Sequence, residues 1–388
     1  MLILAGICKD KNLIKRRENK LTALVEKIFT FLDQKHVKLM AHYQSLRLFV
    51  TKDTKTYWTA THFLAKKKIT AEKKYCVFRL VFPSFALFAA ANAYIFMYEW
   101  ALSKGFIPIM DMEYMYSFRQ GRIGEDNKWE YCFQQPINAK EVDKQNYVIV
   151  RRVGLRKNSL LKRTCMDING KEDDMYIHVT ENDWRKYYAN INKYVKKCWV
   201  FKQEILDDFE KEYGTQMRKA QNILGVFLRE NFSEDYYKYL SDTEKKIYDN
   251  HPRVPDINTT IGIIKEYMQK WKCDYIFLST VFQDSVERAR EEFGDKIITI
   301  DRLRYKNILD PVTSRPHFDA TEEEIYQNEI QHDYKEMLVS YTKEIIGLSR
   351  CNYLIAAKGN GASAALSING GKYKDIHILE DENESAMY

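Results

Sequence analysis

The chain has 388 residues, of which 45% are apolar, and a formal net charge of +7. That length suits two domains better than one, and the apolar share excludes a disordered chain. The mild basic excess suits a phosphate-bearing ligand or an anionic membrane surface, and is too weak and too spread out to point to nucleic acid. Seven cysteines without a CxxC pair exclude a zinc knuckle and a closed disulfide framework, and fit a reducing, cytoplasmic setting.

Residues 1–70 form a basic segment of helical pattern, with KDKNLIKRR at 9–17 and KKK at 66–68. Runs of this kind usually form solvated faces. Leu21, Leu24, Val25, Ile28, Phe29 and Leu32 make one apolar stripe, which can lie on a membrane, on a partner helix or on the parent domain. The opening MLILAGIC is too short an apolar run for a secretory signal.

Residues 71–205 read as a first α/β domain. The uncharged stretch Leu80–Tyr98 has membrane length, but Pro83-Ser84 divides it. The better reading is a strand, YCVFRLVF, then a helix ending at Gly105, then a second strand, FIPIMDM. NYVIVRRV at 147–153 is a further strand and WRKYYANINKYVKKC a helix. Residues 204–222 read as helix leading into the second domain, 206–388.

That domain alternates clearly. NILGVFL, DYIFLST, KIITI, NYLIAA and DIHILE are strands, and helices over 257–273, 284–294, 333–349 and from the turn KGNGASAA separate them. Near-continuous apolar strands in repeated βα units predict a parallel sheet covered on both faces, a Rossmann-like domain.

Ligands of such sheets bind beyond the carboxyl ends of the strands. Arg229 follows the run Ile223–Leu228, and a guanidinium there suits a phosphate, with a salt bridge as its ordinary alternative. Ser279 and Thr280 end the next strand. Gly359, Asn360, Gly361 and Ser363 open a helix whose backbone N–H groups can meet an anion. Together they suggest a nucleotide diphosphate. The turn lacks the full GxGxxG fingerprint, and no HExxH or Walker pattern is present. Asp111 and Glu113 have the spacing of a metal-binding DxD, but follow the first domain's second strand, where an acceptor-side or capping role serves equally.

These residues carry a resemblance to the GDP-fucose-dependent fucosyltransferase superfamily, and within it to the bacterial capsule and surface-polysaccharide branch. GFIPIMDM resembles the family's Gly-x-x-Pro-hydrophobic-hydrophobic-Asp-Met segment. NKWEYCFQQP at 127–136 is similar to its Asn-x-Trp-Glu-Tyr-Tyr-Phe-x-Gln-Pro segment. LGVFLR matches the strand carrying the donor-phosphate arginine, HPRVP at 251–255 a His-Pro stretch, and SAALSINGGKY the last donor motif. The resemblance covers roughly residues 74–380.

The resemblance implies a GT-B architecture, two Rossmann-like domains facing across a cleft, with the helical N-terminal segment as an addition. It implies an inverting transfer of fucose from GDP-fucose to a glycan or lipid-linked glycan acceptor, without metal or other cofactor. Arg229, His251, Ser279, Thr280, Asn360, Gly361 and Ser363 would hold the donor, with Asp235 or Glu230 as base. Asp111, Glu113, Trp129 and Glu130 would shape the acceptor side, where Trp129 can stack on a sugar or simply fill a core. Three donor-side positions depart from the pattern: Glu230 follows the arginine directly, Val281 and Phe282 replace an acidic residue, and Val254 replaces a glutamine. A non-catalytic member that binds nucleotide-sugar or glycan as an assembly scaffold is the alternative. The expected location is cytoplasmic, with peripheral contact at the inner membrane face through the N-terminal segment.

Overall fold

The computed structural model describes residues 75–80, 87–103, 105–112, 127–138, 141, 147–152, 184–228, 257–302, 304 and 334–379. The expected helical segment over 1–70 and its apolar stripe lie outside these. In chain order the elements begin β1 (Tyr75–Leu80), α1 (Leu87–Ser103), β2 (Ile107–Asp111), α2 (Trp129–Cys132), β3 (Phe133–Gln134), β4 (Tyr147–Arg152), α3 (Trp184–Cys198) and β5 (Val200–Phe201). They continue α4 (Gln203–Phe209), α5 (Thr215–Lys219), β6 (Ile223–Phe227), α6 (Ile257–Lys270), β7 (Tyr275–Ser279), α7 (Gln283–Phe293) and β8 (Ile297–Ile298). The last are α8 (Tyr334–Ser349), β9 (Tyr353–Ala356), α9 (Asn360–Asn369) and β10 (Asp375–Ile378). The chain divides into two compact units: one draws on 1–86, 93–130 and 134–173, the other on 87–92, 131–133 and 174–388.

The first unit holds a parallel three-stranded sheet in the order β2-β1-β4. Cys76, Val77 and Phe78 of its middle strand are buried. Of the uncharged stretch that reaches membrane length, Leu80 closes β1 and residues 87–98 lie in α1, and no helix among the described residues is long and apolar enough to cross a membrane. Helix α1 stops where the sequence says it should. Gly105 takes φ +74, its N–H donates to Leu102 O, and Phe106 N donates to Ala101 O. This pair of bonds satisfies carbonyls that a helix end otherwise leaves open, and it needs a residue that tolerates positive φ.

The outer edge of β2 is finished by side chains. Asn127 Oδ1 accepts from Met112 N (2.9 Å), and its Nδ2 donates to Met110 O (2.8 Å). Gln135 Oε1 accepts from Met110 N (3.0 Å) and Nε2 donates back to Met110 O (3.2 Å). Two carboxamides therefore stand in for a neighbouring strand, satisfying ladder groups that an edge would expose.

The second unit holds a parallel five-stranded sheet in the order β10-β9-β6-β7-β8. Every residue of β6 is buried, as the apolar run Ile223–Phe227 requires of a central parallel strand. The helix expected over 204–222 is interrupted by a π turn, Glu210–Gly214, between α4 and α5. From it Tyr213 OH accepts from Asp301 N (2.8 Å), and Glu212 meets Lys343 Nζ (3.2 Å). Cys76, Cys132, Cys198, Cys273 and Cys351 are free thiols, and burial pushes Cys132 up to about 12.

Helix α3 buries Trp184, Tyr188, Ile191, Asn192, Val195 and Cys198 along one face. The buried carboxamide among them is bonded on both hydrogens: Asn192 Nδ2 donates to Ser367 O (2.9 Å) and Ile368 O (2.8 Å), satisfying carbonyls at the end of α9. Asn192→Ala should lower the unfolding free energy by about 1–3 kcal/mol, the cost of leaving buried carbonyls without a donor. Urea denaturation monitored by circular dichroism reads this directly.

Candidate functional site

Strand order decides where a ligand can reach the second unit. From β6 the chain moves outward through β7 to β8, then returns to the other side of β6 for β9 and β10. The connections leaving β6 and β9 therefore part in opposite directions, and the crevice at their carboxyl ends is the topological switch point. The three strand ends singled out in the sequence, those of β9, β6 and β7, are adjacent in the sheet. Leu228, the last described residue on leaving β6, donates its N–H to Ser279 O (2.9 Å). Arg229, Glu230, Asp235 and His251, and Glu113 of the first unit, lie outside the described residues.

On leaving β9, Ala357 N donates to Phe227 O (3.0 Å), and after Gly359 the chain enters α9. A Cβ at Gly361 would strike Tyr341 Oη and come within 2.7 Å of Phe227 Cζ. Glycine is what lets the first turn of α9 descend onto the end of β6. Among the described residues no side chain caps this helix at Gly359, which leaves its first N–H groups to meet an anion. Asn360 opens the helix. Ser363 is 9% exposed, and its hydroxyl makes no hydrogen bond among the described residues.

Ser279 and Thr280 sit at the end of β7, both buried. Their hydroxyls are engaged within the protein. Ser279 Oγ donates to Glu344 Oε2 (2.9 Å), and Thr280 Oγ1 accepts from Phe282 N (3.1 Å) ahead of α7. Glu344 also meets Arg302 Nη1 (2.9 Å) and Arg304 Nη2 (3.4 Å), with all three side chains almost fully buried. Arg304 ties in the loop as well, donating to Ile300 O (2.7 Å) and Thr280 O (3.3 Å). Burial pushes the Glu344 carboxyl above its ordinary range, against the pull of the two guanidiniums and the serine hydroxyl. The group staples α8 to the carboxyl ends of β7 and β8. Arg302 also lies over the Tyr341 ring (5.8 Å), the ring that faces Gly361.

In the first unit, Asp111 ends β2 and is buried. Trp129 is fully buried, edge-on to Tyr94 with ring centroids 5.0 Å apart, so the core use of this tryptophan is the one realised. Glu130 accepts from Gln135 Nε2 (2.6 Å), from Asn127 Nδ2 (3.2 Å) and from Asn138 Nδ2. The carboxylate thus orients the two carboxamides that finish β2. No group of three or more His, Cys, Asp or Glu among the described residues is arranged to hold a metal ion.

Sequence reasoning passed over the Glu344 group and Asn92, whose side chain reaches Asn360. The first left a signal: Lys343-Glu344 interrupts an otherwise apolar helix face, and DRLR follows KIITI with two arginines to answer it. The second left none.

No protein-family model matches this chain, and no curated protein matches it. Solved structures do. A fucosyltransferase, NodZ from Bradyrhizobium, is similar over 80% of this chain and 96% of its own, at 11% identity and a TM-score of 0.40. NodZ alpha-1,6-fucosyltransferase soaked with GDP-fucose is similar over 76% and 93%, at 11% identity and a TM-score of 0.39. A point mutant of Arabidopsis thaliana FUT1 in complex with GDP is similar over 89% of this chain and 79% of its own, at 12% identity and a TM-score of 0.39.

Glu344→Ala should lower the unfolding free energy by about 3–5 kcal/mol, because it leaves two buried guanidiniums without their carboxylate. Glu344→Gln, which keeps the volume and a hydrogen-bonding carbonyl, should lose less. Equilibrium denaturation of both variants measures the difference.

Proposed function

We propose that the chain is a GT-B glycosyltransferase that moves fucose from GDP-fucose to a surface-glycan acceptor, with inversion and without a metal. Residues 206–388 hold the donor and residues 71–205 the acceptor. The observation that carries this reading is the switch point of the second unit, where Gly361 brings the uncapped start of α9 against the end of β6, two residues before Arg229. Helix N–H groups and a guanidinium are the donors a diphosphate needs, and they stabilise the charge that develops on it as it leaves.

In this reading Arg229 and the first turn of α9, with Asn360, Gly361 and Ser363, grip the diphosphate. His251 orients the donor. Ser279 and Thr280 act through the wall they build at the end of β7. Asp235 or Glu230 takes the acceptor hydroxyl's proton as that oxygen bonds to the anomeric carbon, and GDP departs with the electrons of the broken bond. Asp111 and Glu113 shape the acceptor side at the end of β2, while Trp129 and Glu130 brace that strand. The acceptor is a glycan or lipid-linked glycan of the capsule type. The stripe Leu21–Leu32 would hold the enzyme to the inner face of the membrane.

A second reading, a non-catalytic scaffold that binds nucleotide-sugar or glycan, draws support from the hydroxyls of Ser279 and Thr280 being engaged inside the protein and from Glu230 beside Arg229. Calorimetric titration of GDP, UDP and GDP-fucose, with a GDP-fucose hydrolysis assay, separates the two. The transferase should bind GDP and not UDP, should release fucose slowly without acceptor, and should lose about 1.5–3 kcal/mol of GDP binding in Arg229→Ala. Binding without any turnover would favour the scaffold. A folded protein that takes up no nucleotide would sink the transferase and leave the scaffold as a glycan binder.

A further inference from the structure

Asn92 lies on α1, in the stretch 87–92 that belongs to the second unit, and is only 6% exposed. It follows Ala89, Ala90 and Ala91, all buried. A carboxamide in such a place is costly unless its polar atoms are bonded. Its Nδ2 donates to Asn360 O and to Asn360 Oδ1, both at 3.3 Å.

The second of these bonds has a directional consequence. A carboxamide can turn end over end, exchanging its oxygen for its NH2 at little steric cost. Asn360 Oδ1 is held by Asn92, whereas Asn360 Nδ2 donates to nothing among the described residues. The end of Asn360 that remains for a ligand is therefore its donor end. The same first turn carries Ser363, nine-tenths buried, whose hydroxyl has no partner among the described residues. Two side-chain groups that can donate, and that have no partner among the described residues, thus accompany the uncapped helix start at the switch point. Turned the other way, Asn360 would offer its oxygen to an anion and repel it.

We infer that Asn92 is a positioning residue for the leaving diphosphate: it locks the carboxamide of Asn360 so that its NH2 faces the phosphate oxygens. The inference rests on the donor site proposed above. Asn92 does not touch the ligand. It removes the orientation of Asn360 that would oppose it, which is preorganisation of a kind that needs no rearrangement when charge develops.

The test is a double-mutant cycle read as ligand affinity, using GDP and inorganic pyrophosphate as probes and the full chain. Asn92→Leu keeps the volume without the donor, and Asn92→Ala serves if leucine is not accommodated. Either should raise the Kd for both probes about threefold to tenfold, the scale of one lost hydrogen bond. Asn360→Ala should raise it comparably. The double variant should be no weaker than Asn360→Ala alone, since Asn92 acts only through Asn360. A merely structural role would lower the melting temperature and leave the Kd of the folded protein unchanged. An unchanged Kd in the Asn92 variants, or losses that multiply in the double variant, would overturn the inference while wild-type binding leaves the donor site standing. A folded wild type that binds neither probe would overturn the donor site and this inference with it.

Discussion

Strand β6 is hydrogen-bonded along both sides, to β7 from Ile223↔Tyr275 to Phe227↔Ser279 and to β9 from Leu224↔Tyr353 to Phe227↔Ala356. A strand in that position has no edge, and in a parallel sheet neither of its faces meets water. All five of its residues must therefore be apolar or small, and they are. The same constraint decides where polarity can begin. The chain can present charge only once it has left the sheet, which is why the apolar run gives way after Leu228. It also separates the strands by helices, and so creates the helix start at Asn360 and its approach to the sheet through Gly361.

Two groups of buried polar side chains come as closed sets. Glu344 has Ser279, Arg302 and Arg304, and Asn192 has two carbonyls of α9. Each set joins segments far apart in the chain, so it fixes geometry that apolar packing alone would leave more degenerate. Around the candidate site the effect is cumulative. The Glu344 group holds the ends of β7 and β8, Arg302 lies over Tyr341, and Tyr341 bears on the first turn of α9.

Much of this fold is legible in the amino-acid order alone. WRKYYANINKYVKKC is the helix Trp184–Cys198 residue for residue, because its apolar positions recur at helical spacing and nothing breaks them. The five strands of the second unit are readable as short apolar runs between helical stretches. Two helix-opening side chains, Asn360 and Ser363, follow from the glycine-rich turn. Other features depend on partners that a linear pattern does not disclose. The π turn at Glu210–Gly214 lies in a stretch of ordinary helical composition, and the groups it reaches, Lys343 and the Asp301 backbone, are distant in the chain. Trp129 has the composition of either a stacking platform or a core residue, and only burial distinguishes them. Asn92 and Asn360 are 268 positions apart, and neither alone suggests the other.

The carboxamides of Asn127 and Gln135 have an effect that reaches past the fold of one molecule. A parallel sheet ordinarily ends in a row of backbone groups that will accept any extended chain, whether from a nascent copy of itself or from a neighbour. At Met110 and Met112 those groups already have partners, supplied by side-chain carboxamides that carry no run of backbone groups to propagate a ladder. The β2 side of this sheet is thereby closed to templated growth. Any strand added during divergence, or recruited during aggregation, would have to displace an ordered network that Glu130 holds in place.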